Sequence, residues 1–110
     1  MLKVSFDYDH TLTNPKLKAL AHKFVALGAE VHITTSRLIA NPNNKLPYDN
    51  REVFSMANYL GIYPKERVHF TNGKDKAYFL KEFDLHFDDD EVETQLINEF
   101  CENCVGALIE

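Results

Sequence analysis

Residues 1–13 read MLKVSFDYDHTLT. An apolar run ends at Phe6, and two aspartates, Asp7 and Asp9, follow with one residue between them. The run has the length and composition of a short buried strand. Two like charges at the end of such a strand repel, and burying them costs several kcal/mol, on the order of the figure for buried ions, unless something compensates. That compensation has to come from the rest of the chain.

The periodicity downstream alternates between strand and helix. After the first strand (2–6), TNPKLKALAHKFVALG (13–28) reads as a helix, with Asn14 as its cap, Pro15 in its first turn and Gly28 as its stop. Leu17, Leu20, Phe24 and Leu27 recur at helical spacing. AEVHITT (29–35) is a second strand, and SRLIANPNNKLPYDN (36–50), rich in Asn and Pro, reads as a loop. DNREVFSMANYLG (49–61) reads as a helix, with Asp49 and Glu52 spaced as a capping box and Gly61 as its stop. RVHF (67–70) is a third strand, KDKAYFLKEF (74–83) a third helix and DLHF (84–87) a fourth strand. EVETQLINEFCENC (91–104) reads as a fourth helix and VGALIE (105–110) as a last short strand. This alternation predicts one α/β domain over 1–110: a doubly wound, Rossmann-like three-layer sandwich around a parallel sheet.

Composition narrows the function classes. The apolar fraction is 45%, which supports a packed core rather than disorder. No apolar run approaches the roughly 18 residues of a membrane helix, and the acidic pair interrupts any secretory leader. With only two cysteines, a reduced, cytoplasmic protein is expected. The formal net charge of −5 argues against an extended nucleic-acid surface, though not against one phosphate ester at a local site.

In a parallel sheet of this kind, ligands bind beyond the carboxyl ends of the strands. At those ends lie Asp7 and Asp9; then Thr35, Ser36 and Arg37; then Lys74 and Lys76 before the third helix; then Asp88, Asp89 and Asp90. Carboxylates, a hydroxyl and a lysine around one point suit a hard divalent cation, Mg²⁺ by preference, together with a phosphate. A dication also offsets the repulsion of the opening pair.

Four stretches carry a resemblance to a known family. FDYDHTLT resembles the first motif of the haloacid dehalogenase superfamily, an apolar strand followed by Asp-x-Asp-x-Thr-Leu. VHITTSR is similar to its second, KDKAYFL to its third and LHFDDDEVE to its fourth, in the family's order and across nearly the whole chain. The resemblance implies a small phosphatase-like core without a cap domain, because neither inter-motif stretch has room for one. It implies Asp7 as the nucleophile that becomes an aspartyl phosphate, and Asp9 as general acid and then base. Thr35 and one lysine, Lys76 in preference to Lys74, would bind the phosphoryl group. Asp88 and Asp89 would hold Mg²⁺ with Asp7 and the main-chain carbonyl of Asp9. His10 stands where the family often has glycine; His10, Ser36 and Arg37 are candidate substrate contacts, as is the loop Leu38–Asn50. The implied substrate is a phosphorylated small molecule or macromolecular end reaching an open site, which an oligomer partner could also cover.

Other readings compete. A receiver domain would need an aspartate after its third strand, where this chain has Phe70-Thr71-Asn72. A silent metal- or protein-binding module on the same fold, and a phosphatase for nucleotides or nucleic-acid ends, are the alternatives within the fold. Asp90 with Glu93 also fits a capping box. His32, His69 and His86 read as structural, and Cys101 and Cys104 as ordinary thiols rather than zinc ligands.

Overall fold

The computed structural model describes residues 1–39, 43 and 45–110. Five strands, β1 (Lys3–Phe6), β2 (Glu30–Thr35), β3 (Val68–Phe70), β4 (Leu85–Asp88) and β5 (Val105–Leu108), form one sheet in the order β3-β2-β1-β4-β5. Every pairing is parallel. The chain lays down β1, β2 and β3 toward one edge, then returns to the other side of β1 for β4 and β5. The switch in strand order therefore lies between β1 and β4, where such sheets open a crevice at the strand ends.

The register sorts the side chains. Val4 pairs with Val31 and Phe6 with Ile33, so these apolar residues share a face. Helices α1 (Pro15–Ala26) and α2 (Arg51–Leu60) cover that face, and Phe6 stacks on Phe87 and meets Phe24 edge-on. The opposite face carries Ser5, His32, Thr34 and His86. Its polar groups pair among themselves: the Ser5 and Thr34 hydroxyls lie 2.7 Å apart, and His32 Nδ1 lies 2.8 Å from His69 Nε2. A second apolar cluster of Ala77, Leu80, Phe83, Ile97, Cys101 and Cys104 packs below, with α3 (Glu91–Phe100).

Local signals act as expected at several ends. Asn14 accepts from Lys16 N, and Pro15 begins α1. Gly61 ends α2 at φ 78°. Asp90 caps α3, accepting from the amides of Val92 and Glu93.

Four expectations need correction. The third helix, expected over 74–83, is a single 3₁₀ turn at Lys76–Tyr78. Its bonds run to the third residue back, from Tyr78 N to Asp75 O, Phe79 N to Lys76 O and Phe83 N to Leu80 O, and no α-helical ladder forms. Helix α3 stops at Phe100, short of Cys104; both cysteines are buried free thiols. Neither capping box closes: Glu52 turns to Arg37, and Glu93 accepts the amide of Lys76 instead. No described helix is long and apolar enough to cross a membrane.

Candidate active site

The backbone leaving β1 makes a wide turn, Tyr8–Leu12, closed by hydrogen bonds that Leu12 N donates to Asp7 O and Thr13 N to Tyr8 O. Buried Tyr8 and Leu12 anchor it in the core. Asp9 is extended (φ −64°, ψ 128°), and His10 is left-handed (φ 61°, ψ 2°). A positive φ is the reason a glycine would suit position 10, and histidine is among the residues that tolerate it. The turn brings the Thr11 hydroxyl back onto Asp7 Oδ2 at 3.2 Å and near Asp89 Oδ1 at 3.4 Å.

Asp7 and Asp88 end adjacent parallel strands on the polar face, and Lys76 lies between them. Its Nζ is 2.9 Å from Asp7 Oδ1 and 2.6 Å from Asp88 Oδ2. The three side chains are 3%, 6% and 0% exposed (Lys76, Asp7 and Asp88), so the charges interact with little solvent screening. His86 Nε2 approaches Asp88 Oδ2 at 2.8 Å, and Asp90 N donates to Asp88 Oδ1. Burial pushes the pKa of His86 down, against the pull of the Asp88 carboxylate. An ionised carboxylate only accepts, which assigns the ring proton to Nε2. His86 Nδ1 is left buried with no partner among the described residues.

The two carboxylates differ in protonation. Burial pushes the pKa of Asp7 up to about 8, outweighing the pull of Lys76, and the charge of Asp88 adds to the rise. Burial also works against ionised Asp88, but the hydrogen bond from His86 and the Lys76 ammonium hold it down at about 2. Burial likewise opposes the Lys76 charge, yet its carboxylate partners push its pKa up. One lysine shared between two carboxylates thus satisfies Asp88 and leaves Asp7 short of positive charge.

Asp9 is held separately. Arg37 donates through Nε to Asp9 Oδ2 at 2.8 Å and through Nη2 to Asp9 Oδ1 at 2.6 Å, a bidentate fork. The same Nη2 reaches Glu52 Oε1 at 2.5 Å, and the guanidinium carbon sits 5.0 Å from the Tyr8 ring centre and 4.5 Å from that of Tyr48. The Arg37 hydrogen bonds hold the carboxyl of Asp9 below its ordinary range.

The sequence-derived candidates divide. Asp7, Asp88, Lys76 and Asp89 converge, whereas Lys74 and Ser36 are exposed. Thr35 is fully buried, and its hydroxyl accepts the Arg37 amide at 3.3 Å. His10 is exposed on the turn. Arg37, a candidate substrate contact, is 7% exposed and engaged with protein groups. Of the loop Leu38–Asn50, residues 40–42 and 44 lie outside the described residues. Three contributors carry no sequence expectation as site residues: Thr11, Glu52, expected only in a capping box, and, as a partner of Asp88, His86; Tyr48 falls in the loop Leu38–Asn50 already named. The Thr of the Asp-x-Asp-x-Thr pattern was the available signal for Thr11.

Oxygens of Asp7, Asp88 and Asp89 lie within 4.8 Å of one another. This all-oxygen donor set, short of positive charge at Asp7, fits a hard dication such as Mg²⁺. No protein-family model matches the chain, and no curated protein does either.

Proposed function

We propose that the chain is a Mg²⁺-dependent phosphomonoesterase of the haloacid dehalogenase type. The observation that carries the reading is the buried Asp7–Lys76–Asp88 bridge across the switch point, with Asp89 beside it. Asp7, Asp88 and Asp89 would hold a Mg²⁺ ion, with the main-chain carbonyl of Asp9 as the resemblance implies, and the ion would supply charge that favours ionised Asp7 and offsets the phosphoryl oxygens.

Asp7 attacks phosphorus, and an acyl phosphate bond forms as the ester P–O bond breaks. Asp9 supplies the proton that the departing oxygen needs only when it is protonated and free of the Arg37 fork, which favours its ionised form. A water then attacks the same phosphorus, Asp9 takes its proton, and inorganic phosphate leaves Asp7. Lys76 is fixed against Asp7 and balances charge on the transferring group. Glu52 keeps the buried Arg37 paired while Asp9 cycles.

The absence of an inserted domain leaves the site open to bulky esters, among them nucleotides and nucleic-acid ends. The free thiols suit a reducing, cytoplasmic setting. The test is phosphate release from a panel of phosphorylated metabolites, nucleotides and DNA ends, with wild type and Asp7→Asn compared in Mg²⁺ and in chelator. Turnover that needs Mg²⁺ and is lost in Asp7→Asn is expected. No turnover on any ester, or equal turnover by the variant, leaves only the metal-binding module.

A further inference from the structure

The sheet has two edge strands, β3 and β5, and a parallel edge turns the amide and carbonyl of every second residue away from its neighbour. On β5, Val105 N and Ile109 N donate to Asp84 O and Asp88 O, so Gly106 and Leu108 face outward. The Asn98 side chain of α3 occupies both groups of Gly106, with Oδ1 2.8 Å from the amide nitrogen and Nδ2 3.0 Å from the carbonyl oxygen. A side-chain amide thus stands in for a strand and guards that edge. The β3 edge is different. Thr71 N donates to Thr35 O, so Val68 and Phe70 face outward. Val68 N turns back to Lys65 O, while the amide and carbonyl of Phe70 have no partner among the described residues. A groove of about 400 Å³ lies beside them, walled by Ile39, Phe54, Val68 and Phe70, with exposed Lys65 and Glu66 also lining it. Ile39 and Phe54 are 53% and 40% exposed, an apolar surface that the single chain leaves in water.

We infer that the β3 edge is the contact surface for a second copy of this chain, joined across a two-fold axis at Phe70. The free groups decide between occupants. An added peptide strand gains its affinity from a ladder of main-chain bonds, and this edge is three residues long with one free amide. A two-fold pairing needs only one residue from each copy. In an antiparallel hydrogen-bonded pair, each Phe70 amide donates to the other copy's Phe70 carbonyl, so donors and acceptors balance. Charge is matched in the same way. A two-fold interface sets like patches against each other, so a patch of one sign would repel itself, whereas this groove carries one base and one acid, Lys65 and Glu66.

Sedimentation equilibrium of the full chain from about 5 to about 500 µM, in salt that screens the net charge of −5, measures the association. A reversible dimer is expected. Amide hydrogen exchange reads the contact itself: protection of the Phe70 amide should rise with concentration, while that of Gly106 should not change, since Asn98 holds it in either state. Ile39→Lys and Phe54→Lys should each weaken association at least about tenfold. Val105→Lys, on the guarded edge, should leave it unchanged. Far-ultraviolet circular dichroism shows that each variant is folded. A chain that stays monomeric throughout leaves this edge to another partner and overturns the inference, as does a dimer whose Phe70 amide gains no protection on association. Association untouched by both groove variants, or weakened equally by Val105→Lys, also overturns it. The phosphatase reading stands or falls separately, on phosphate release.

Discussion

Asp7 gives the sharpest test, because its proton and a divalent cation compete for the same oxygens. Burial raises the Asp7 pKa from 3.8 to about 8 in the folded protein, so the metal-free fold holds a proton that the unfolded chain releases. The stability that this proton provides is complete below the unfolded pKa and is lost as pH rises toward about 8. Asp88, held at about 2, acts only in acid, well below this window. The histidines with lowered pKa, His32, His69 and His86, work in the opposite sense below about 6.5. They are common to wild type and variant, so the difference between the two isolates Asp7. Asp7→Asn keeps an acceptor for Lys76 and removes the titration. Taking about 8 as the folded pKa, wild type should lose about 2 kcal/mol relative to Asp7→Asn between about pH 6 and 7.5. The chain has no tryptophan, so urea unfolding in chelator is followed by far-ultraviolet circular dichroism. Saturating Mg²⁺ should abolish the wild-type decline. A difference that stays flat across the window, or that favours wild type as pH rises, would refute the account of Asp7 as the charge-starved partner.

Three further perturbations probe the rest of the site and its support. Lys76→Met leaves the buried Asp88 carboxylate without its cation and should destabilise the metal-free protein by roughly 3–5 kcal/mol; an unchanged urea midpoint would count against the bridge. His86→Phe removes the donor 2.8 Å from Asp88 and should weaken Mg²⁺ binding roughly 10–100-fold by calorimetry; undiminished affinity would reduce His86 to packing. Gly106→Ala places a Cβ 2.9 Å from Thr94 O and 3.1 Å from Thr94 Cα, both backbone atoms of α3. It should cost about 1–3 kcal/mol in thermal or urea unfolding, as overpacking does, with no loss expected if α3 moves freely.

The fold was legible because its signals are local. Strand runs of apolar residues, Asn14-Pro15 and the glycine stops all act within a few positions, and their alternation leaves little choice of topology. The third helix that the sequence predicts is a 3₁₀ turn for a specific reason. Ala77, Leu80 and Phe83, the residues of this segment that reach the core, are spaced by three, a period that an α-helix and a 3₁₀ turn share. Tyr78 and Phe79 between them stay exposed, and no sequence pattern distinguishes a helix from a chain that merely touches down at every third residue. The carboxylates were legible as strand-end residues, while the Arg37 fork was not. Arg37 and Asp9 are 28 residues apart, and their meeting depends on β1 and β2 being neighbours with their ends level. His86 reads from sequence as structural, and it is fully buried. Its partner two residues along the same strand, Asp88, makes it part of the site through the period-two pleat.

The short third crossover has a consequence for the chemistry. Because it is a 3₁₀ turn, Lys76 enters the gap between the ends of β1 and β4 from a segment held at both levels of structure. Its ammonium bridges two strands, and its main-chain amide is fixed by Glu93 of α3 at 2.9 Å. Four elements therefore meet on one residue at the point where the sheet reverses its strand order: β1, β4, the crossover turn and α3. Parallel strands at such a point have no direct chain connection, since β1 leads to β2 and β4 is reached only after β3. The Asp7–Lys76–Asp88 bridge ties the two halves of the sheet where the topology does not. A buried ion pair of this kind adds little net stability once desolvation is counted, and a hydrophobic replacement of the whole triad often does as well. Its worth lies in placement, since it holds a nucleophile, a cation and a second carboxylate in fixed relation before any phosphate arrives.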